Sequence, residues 1–128
     1  MALTLPPWQV KVLRTRGGLK HTANDTGYAL DLRYEQQRII VLGDQDGSAL
    51  FELAQRIEAG PVDIMFSPHH GLSTDGLAML IEHLRPSELW ASCAIENFPL
   101  PAQPIADHYG IPLLHTVEEP LRYLFSID

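Results

Sequence analysis

Hydrophobic positions recur with two different periods along this chain, and the change falls near residue 44. From Gln9 to Leu13 polar and apolar side chains alternate, and Tyr28 to Tyr34 alternate again, the period of half-buried strands. Ile39 to Leu42 is a continuous apolar run and predicts a third, more deeply buried strand. Only Glu35-Gln36-Gln37 separates the last two, so they are expected to pair as an antiparallel hairpin. Gly17-Gly18 and Asn24-Asp25-Thr26-Gly27 mark loops.

Beyond Asp44 strands and helices are expected in alternation. Ser48 can cap a helix whose Leu50, Leu53, Ala54 and Ile57 share one face, and Gly60-Pro61 stops it. Val62 to Phe66 reads as a strand, and Thr74 or Asp75 opens a helix with Leu77, Leu80, Ile81 and Leu84 on its apolar stripe, ended before Pro86. Leu89 to Cys93 is expected as a strand, Ala102 to Tyr109 as a short helix closed by Gly110, Pro112 to Leu114 as a strand, and Leu121 to Ile127 as a final edge strand. The pattern predicts a mixed α/β fold, its sheet parallel where helices intervene and flanked by them.

Composition narrows the class. At 128 residues, 45% of them hydrophobic, the chain is expected to form one domain over 1–128 rather than a disordered segment. Residues 1 to 38 carry about +3 and the remainder about −10 of the formal net charge of −7. A surface so acidic repels a phosphate backbone, which argues against nucleic-acid binding by charge alone. No run approaches the ~18 apolar residues of a membrane span, and the start lacks a charged leader, so the chain is expected to be soluble and without export signal. Cys93, the single cysteine, excludes an internal disulfide and a multi-cysteine zinc knuckle.

The candidate chemistry sits where strands end. Parallel strands joined by helices bring Asp44, His69 and His70, Ser92 and Cys93, and His115 and Thr116 to one carboxyl edge, where open α/β sheets bind ligands. Adjacent strands lie ~4.8 Å apart, so a carboxylate and an imidazole on neighbouring ends can reach one metal ion. Each piece also has a plainer reading: Gly43-Asp44 as a turn, the His pair as solvated, Cys93 as a packed thiol. His21, His83 and His108 read as surface residues.

The motifs taken together resemble a known family. Asn24-Asp25-Thr26-Gly27-Tyr28-Ala29-Leu30, then Ile39-Ile40-Val41-Leu42-Gly43-Asp44, then Ser67-Pro68-His69-His70-Gly71, then Arg85-Pro86 before a strand, are similar in order and separation to the "NDxS", "LLxGD" and "PHHG" motifs of the metallo-β-lactamase-like domain of ComEC-type competence proteins. The resemblance spans about Trp8 to Asp128 and implies the C-terminal half of an αββα fold, two layered sheets flanked by helices.

It further implies a metal-dependent hydrolase in which Asp44 bridges two metals and His70 or His69 ligates one, with zinc or manganese as the divalent ion of the parent domain. Cys93, Asn97 and His115 are candidates for a substrate edge. Two departures stand out: the His-x-His-x-Asp-His cluster of the N-terminal half has no counterpart, and Asn97-Phe98-Pro99-Leu100-Pro101 has leucine where an imidazole is expected. Asp44 with one or two histidines cannot hold two ions and activate a water, so the chain alone is expected to be inactive and to bind little or no metal. The implied parent is tethered to the bacterial inner membrane and acts on DNA during uptake. The alternatives are a non-catalytic half-domain that works by homodimerisation or by pairing with the missing half, and an unrelated α/β binding module with a small-ligand site at the carboxyl edge.

Overall fold

A computed structural model describes residues 2–5, 8–15, 27–43, 48–72, 74–92 and 99–115. Within them the order is β1 (Ala2–Leu5), β2 (Trp8–Thr15), β3 (Gly27–Tyr34), β4 (Gln37–Val41), α1 (Ser48–Arg56), β5 (Val62–Phe66), a 3-10 turn (Pro68–Gly71), α2 (Leu77–Leu84), β6 (Pro86–Ala91), α3 (Ala102–Tyr109) and β7 (Leu113–His115). The strands form one sheet in the order β1-β2-β3-β4-β5-β6-β7. β1 to β4 pair antiparallel, and β4 to β7 pair parallel.

The change of hydrophobic period is therefore the change from meander to crossovers. Tyr34 pairs with Gln37 across the two-residue turn Glu35-Gln36, with Glu35 at φ 52°, and this is the predicted hairpin. Downstream, each helix carries the chain to the next strand on the same side. Right-handed crossovers in a sheet that always advances one way must put their helices on one face.

The burial pattern agrees. Ile40, Met65 and Leu89 lie side by side in register and join Leu50 and Leu53 of α1, Leu77, Leu80 and Leu84 of α2, and Ala102 and Ala106 of α3 in the main core. The residues one position along face the other way. Ile39, Ile64 and Trp90 form a second cluster with Leu32, Val41, Phe66 and Leu114, and every member comes from a strand. Trp8 against Tyr34 (centroids 5.0 Å apart) and Phe66 against Trp90 (5.6 Å) continue this aromatic and aliphatic face.

Several boundaries differ from the expectation. β1 is an additional strand, with Leu3 opposite Val10. β6 covers Pro86–Ala91 rather than 89–93, because pairing with β5 starts at Val62 opposite Pro86, and a proline is tolerated as the first residue of a strand. β7 covers Leu113–His115, one residue later than expected. α2 starts at Leu77, behind Gly76 at φ 87°, with no side-chain cap from Thr74 or Asp75. It ends on Arg85 at φ 47°, consistent with the bar that a following proline places on helical backbone. The strand expected over 121–127 lies outside the described residues.

The two ends of the parallel strands are built differently. At the amino end Arg38 binds Asp31 through Nε (3.0 Å) and Nη2 (2.9 Å) and donates to the carbonyls of Ala59 (2.9 Å) and Glu58 (2.7 Å). The Arg38 backbone N–H donates to Asp63 Oδ2 at 2.8 Å, and Arg33 bridges Asp31 and Glu58. Burial alone would raise the Asp31 carboxyl, but hydrogen bonds from Arg38 and Arg33, with their charges, hold it below its usual value. A groove of about 250 Å³ lies here, lined by Arg33, Gln37, Arg38, Glu58, Gly60 and Pro61. Its arginines are already committed to carboxylates and carbonyls, so the groove belongs to the structural end of the sheet.

Candidate functional site

The carboxyl end carries the predicted chemistry. β4 and β5 are parallel neighbours, with Ile39 opposite Ile64 and Ile40 opposite Met65, so both strands finish on the same edge of the sheet. The described part of β4 continues through Leu42 to Gly43, and Asp44, the next residue, lies outside the described residues. β5 continues one residue past Phe66, since the Ser67 N–H donates to the Trp90 carbonyl at 2.8 Å. Pro68 then opens the 3-10 turn that contains His69 and His70.

Gly71 closes that turn and explains its shape. Its φ is +79°, a conformation that side chains rarely adopt, and a Cβ there would stand 3.3 Å from Leu100 Cδ1 and 3.4 Å from Ala91 Cβ. The turn is thereby pressed against the end of β6 and the approach to α3. This fixes the backbone of the histidine pair, whose side chains lie outside the described residues.

The remaining candidates distribute along the same edge. Ser92 follows β6 and is exposed, whereas Cys93 and Asn97 lie outside the described residues, as does Thr116. His115 is the last residue of β7, half-buried opposite Ala91. β7 is two strands from β5, roughly 10 Å away at ordinary strand spacing, so His115 shares the edge without being a neighbour of the turn. Among the described residues no three His, Cys, Asp or Glu side chains gather as a metal site.

Two other histidines are now placed. His83, read above as a surface residue, is half-buried, with Nε2 2.8 Å from the Ile57 carbonyl; it ties α2 to the end of α1. His108 is exposed and stands edge-on to the Tyr109 ring. His21 lies outside the described residues.

One group at this edge escaped sequence reasoning. The Ser67 side chain is 3% exposed, and its hydroxyl has no hydrogen-bond partner among the described residues. A buried hydroxyl without a partner costs about 1–3 kcal/mol. Its only sequence signal is its position immediately before Pro68-His69-His70, which does not distinguish it from an ordinary loop serine.

No family model matches the chain, and no curated protein does. Among solved structures it is similar to a mutant of CmlA beta-hydroxylase, with a TM-score of 0.60 and 12% identity. The fold is metallo-β-lactamase-like. The match covers 90% of this chain but only 31% of the hydroxylase chain, so this metallo-β-lactamase-like sheet spans about a third of that protein's length. At such identity the likeness concerns the fold alone. No described helix is long and apolar enough to cross a membrane.

Proposed function

We propose that this chain is the C-terminal half of a metallo-β-lactamase-type hydrolase domain of the ComEC kind, contributing Asp44 and the His69–His70 turn to a divalent-metal site. The observation that carries the reading is the parallel pairing of β4 and β5, which ends both strands on one edge with the histidine turn directly after β5. A carboxylate and imidazoles are oxygen and nitrogen donors suited to zinc or manganese. The orphaned Ser67 hydroxyl beside the turn fits a site whose polar groups find their partners when an ion is held.

When bound, such an ion lowers the pKa of a coordinated water and polarises a phosphoryl oxygen. The chain's own part is to present its donors from a rigid sheet edge. Parallel strands fix the spacing of the two segments, and Gly71 packed on Leu100 and Ala91 holds the turn. The substrate proposed for the parent is a phosphodiester of DNA in transit, and the parent is proposed to be held at the bacterial inner membrane. The missing His-x-His-x-Asp-His cluster leaves the chain without a complete site of its own.

Calorimetric titration of the purified chain with zinc and with manganese tests this reading. One weak site abolished by Asp44→Ala and by substitution of one of the two histidines is expected. Binding unchanged by all three substitutions would exclude it.

A second reading, a half-domain acting by association, is favoured by the second sheet face, whose residues all come from strands and whose Leu32, Val41, Phe66 and Leu114 are only partly buried. The proposed occupant is a second copy of the chain, because the same apolar face on two molecules is self-complementary about a two-fold axis.

A further inference from the structure

We infer that the groove between α2 and α3 is a binding site for a small apolar carboxylate, held by the Arg85 guanidinium. The groove is separate from the histidine turn: it lies beside Arg85-Pro86 at the amino end of β6, whereas the turn follows the carboxyl end of β5. Arg85-Pro86 is also a sequence motif that the metal-site proposal leaves without a role.

Six residues line about 350 Å³ here, a volume suited to a small molecule. Ile81, Pro86 and Ile111 supply apolar surface, and Glu82, Arg85 and Tyr109 carry the polar groups. The Tyr109 hydroxyl donates to Glu82 Oε1 at 2.9 Å and so bridges the two helices. Glu82, one turn before Arg85 on α2, is thereby engaged, and its hydrogen bond pushes the Tyr109 phenol above its ordinary value, so the donor keeps its proton.

Arg85 differs from Arg33 and Arg38. Arg38 spends its donors on Asp31 and two carbonyls, and Arg33 spends its donors on two carboxylates. The exposed Arg85 side chain gives one hydrogen bond, from Nη2 to the Gly60 carbonyl at 2.8 Å, and meets no carboxylate among the described residues. Its other guanidinium donors form a planar fork that matches a carboxylate. The backbone singles out the same residue: its φ is 47°, where helices ordinarily end on glycine or asparagine. Backbone strain of this kind gathers at ligand-holding positions. Charge then orients the ligand. A carboxylate is drawn to Arg85 and kept from Glu82, which leaves its apolar body on Ile81, Pro86 and Ile111.

The test titrates the full chain, labelled with nitrogen-15, with phenylacetate, with acetate, and with phenethylamine, which carries a similar ring on a cation. Phenylacetate is expected to move the backbone amide resonances of residues 81–85 and 109–111 and to leave those of 69–71 in place. Acetate and phenethylamine are expected to bind about 10-fold more weakly or worse. Arg85→Gln is expected to weaken phenylacetate binding about 10-fold or more, Arg85→Lys to weaken it less, and Glu82→Gln to leave it at least as tight. Thermal unfolding shows whether Arg85→Gln, which also loses the tie to Gly60, still folds; if it does not, the three ligands on the unaltered chain decide alone. The inference is overturned by phenylacetate that leaves the groove amides unmoved, by phenethylamine that binds as well, or by a folded Arg85→Gln chain that binds phenylacetate like the parent.

Discussion

Asp31 and Arg38 meet across the β3–β4 hairpin through two hydrogen bonds of 3.0 and 2.9 Å, at the opposite end of the parallel strands from the histidine turn. Asp31 is 2% exposed and the Arg38 side chain 9%, so the pair is sealed from solvent and completed by the carbonyls of Glu58 and Ala59. Breaking a buried pair leaves an uncompensated charge. Asp31→Asn is therefore expected to cost about 3–5 kcal/mol, read as a lower urea midpoint, whereas Glu58→Ala at the exposed rim is expected to change it little. Equal effects of the two substitutions would contradict this.

The same carboxylate sets a pH dependence. Arg38 and Arg33 hold Asp31 below its ordinary value of 3.8, so its contribution is present above that pH and is lost as pH falls through the lower folded value. Stability is expected to decline below about pH 4, and the decline is expected to be shallower in Asp31→Asn. Urea titrations at pH 7, 5 and 3 on both proteins measure it.

Gly71→Ala puts a side chain at φ +79° against Leu100 and Ala91. A loss of about 1–3 kcal/mol is expected, with displaced backbone amide resonances at His69 and His70. A Gly71→Ala chain as stable as the parent, with unmoved amides, would mean that the turn is not held as described.

Hydrolysis by the isolated chain is expected to stay at background. Incubated with manganese or zinc, it should not cleave a phosphodiester reporter, because one edge of donors cannot hold two ions. Robust turnover removed by Asp44→Ala would show that the chain carries a complete site.

Self-association is expected through the second sheet face. From Trp8, Val10 and Val12 across Leu32, Ile39, Val41, Ile64, Phe66 and Trp90 to Leu114, that face is apolar apart from Arg14, Gln37 and Glu88. Ile39, Ile64 and Trp90 at its centre are already buried within the chain, so a two-fold dimer would gain its burial from the partly buried Leu32, Val41, Phe66 and Leu114 around them. Light scattering at tens of micromolar should report twice the chain mass, and Phe66→Glu should return it to a monomer. A clean monomer for the parent chain would refute the dimer.

The sequence carried the fold well because both of its periods are strong. Leu50, Leu53 and Ile57, and Leu77, Leu80, Ile81 and Leu84, announce helices that bury those residues. The alternation of Tyr28 to Tyr34 announces a strand with two different faces. Ends were less legible, because Pro86 and Gly76 act through backbone geometry that no hydrophobic pattern records. For the site, strand ends pointed to the edge where the histidine turn lies, yet Ser67 stayed hidden. Its importance is a matter of burial and missing partners, which only three-dimensional packing reveals.

A sheet whose spatial order is its sequence order has a consequence for how the chain is made. Each strand as it leaves the ribosome finds the strand synthesised just before it as its neighbour, so no edge waits for a distant segment. Vectorial growth of this kind limits each new pairing to one hairpin or one crossover, which shortens the time an unpaired edge is open to other chains. Strand-by-strand addition also means that once β6 has emerged, two of the three parallel pairings, β4 with β5 and β5 with β6, can already be in place.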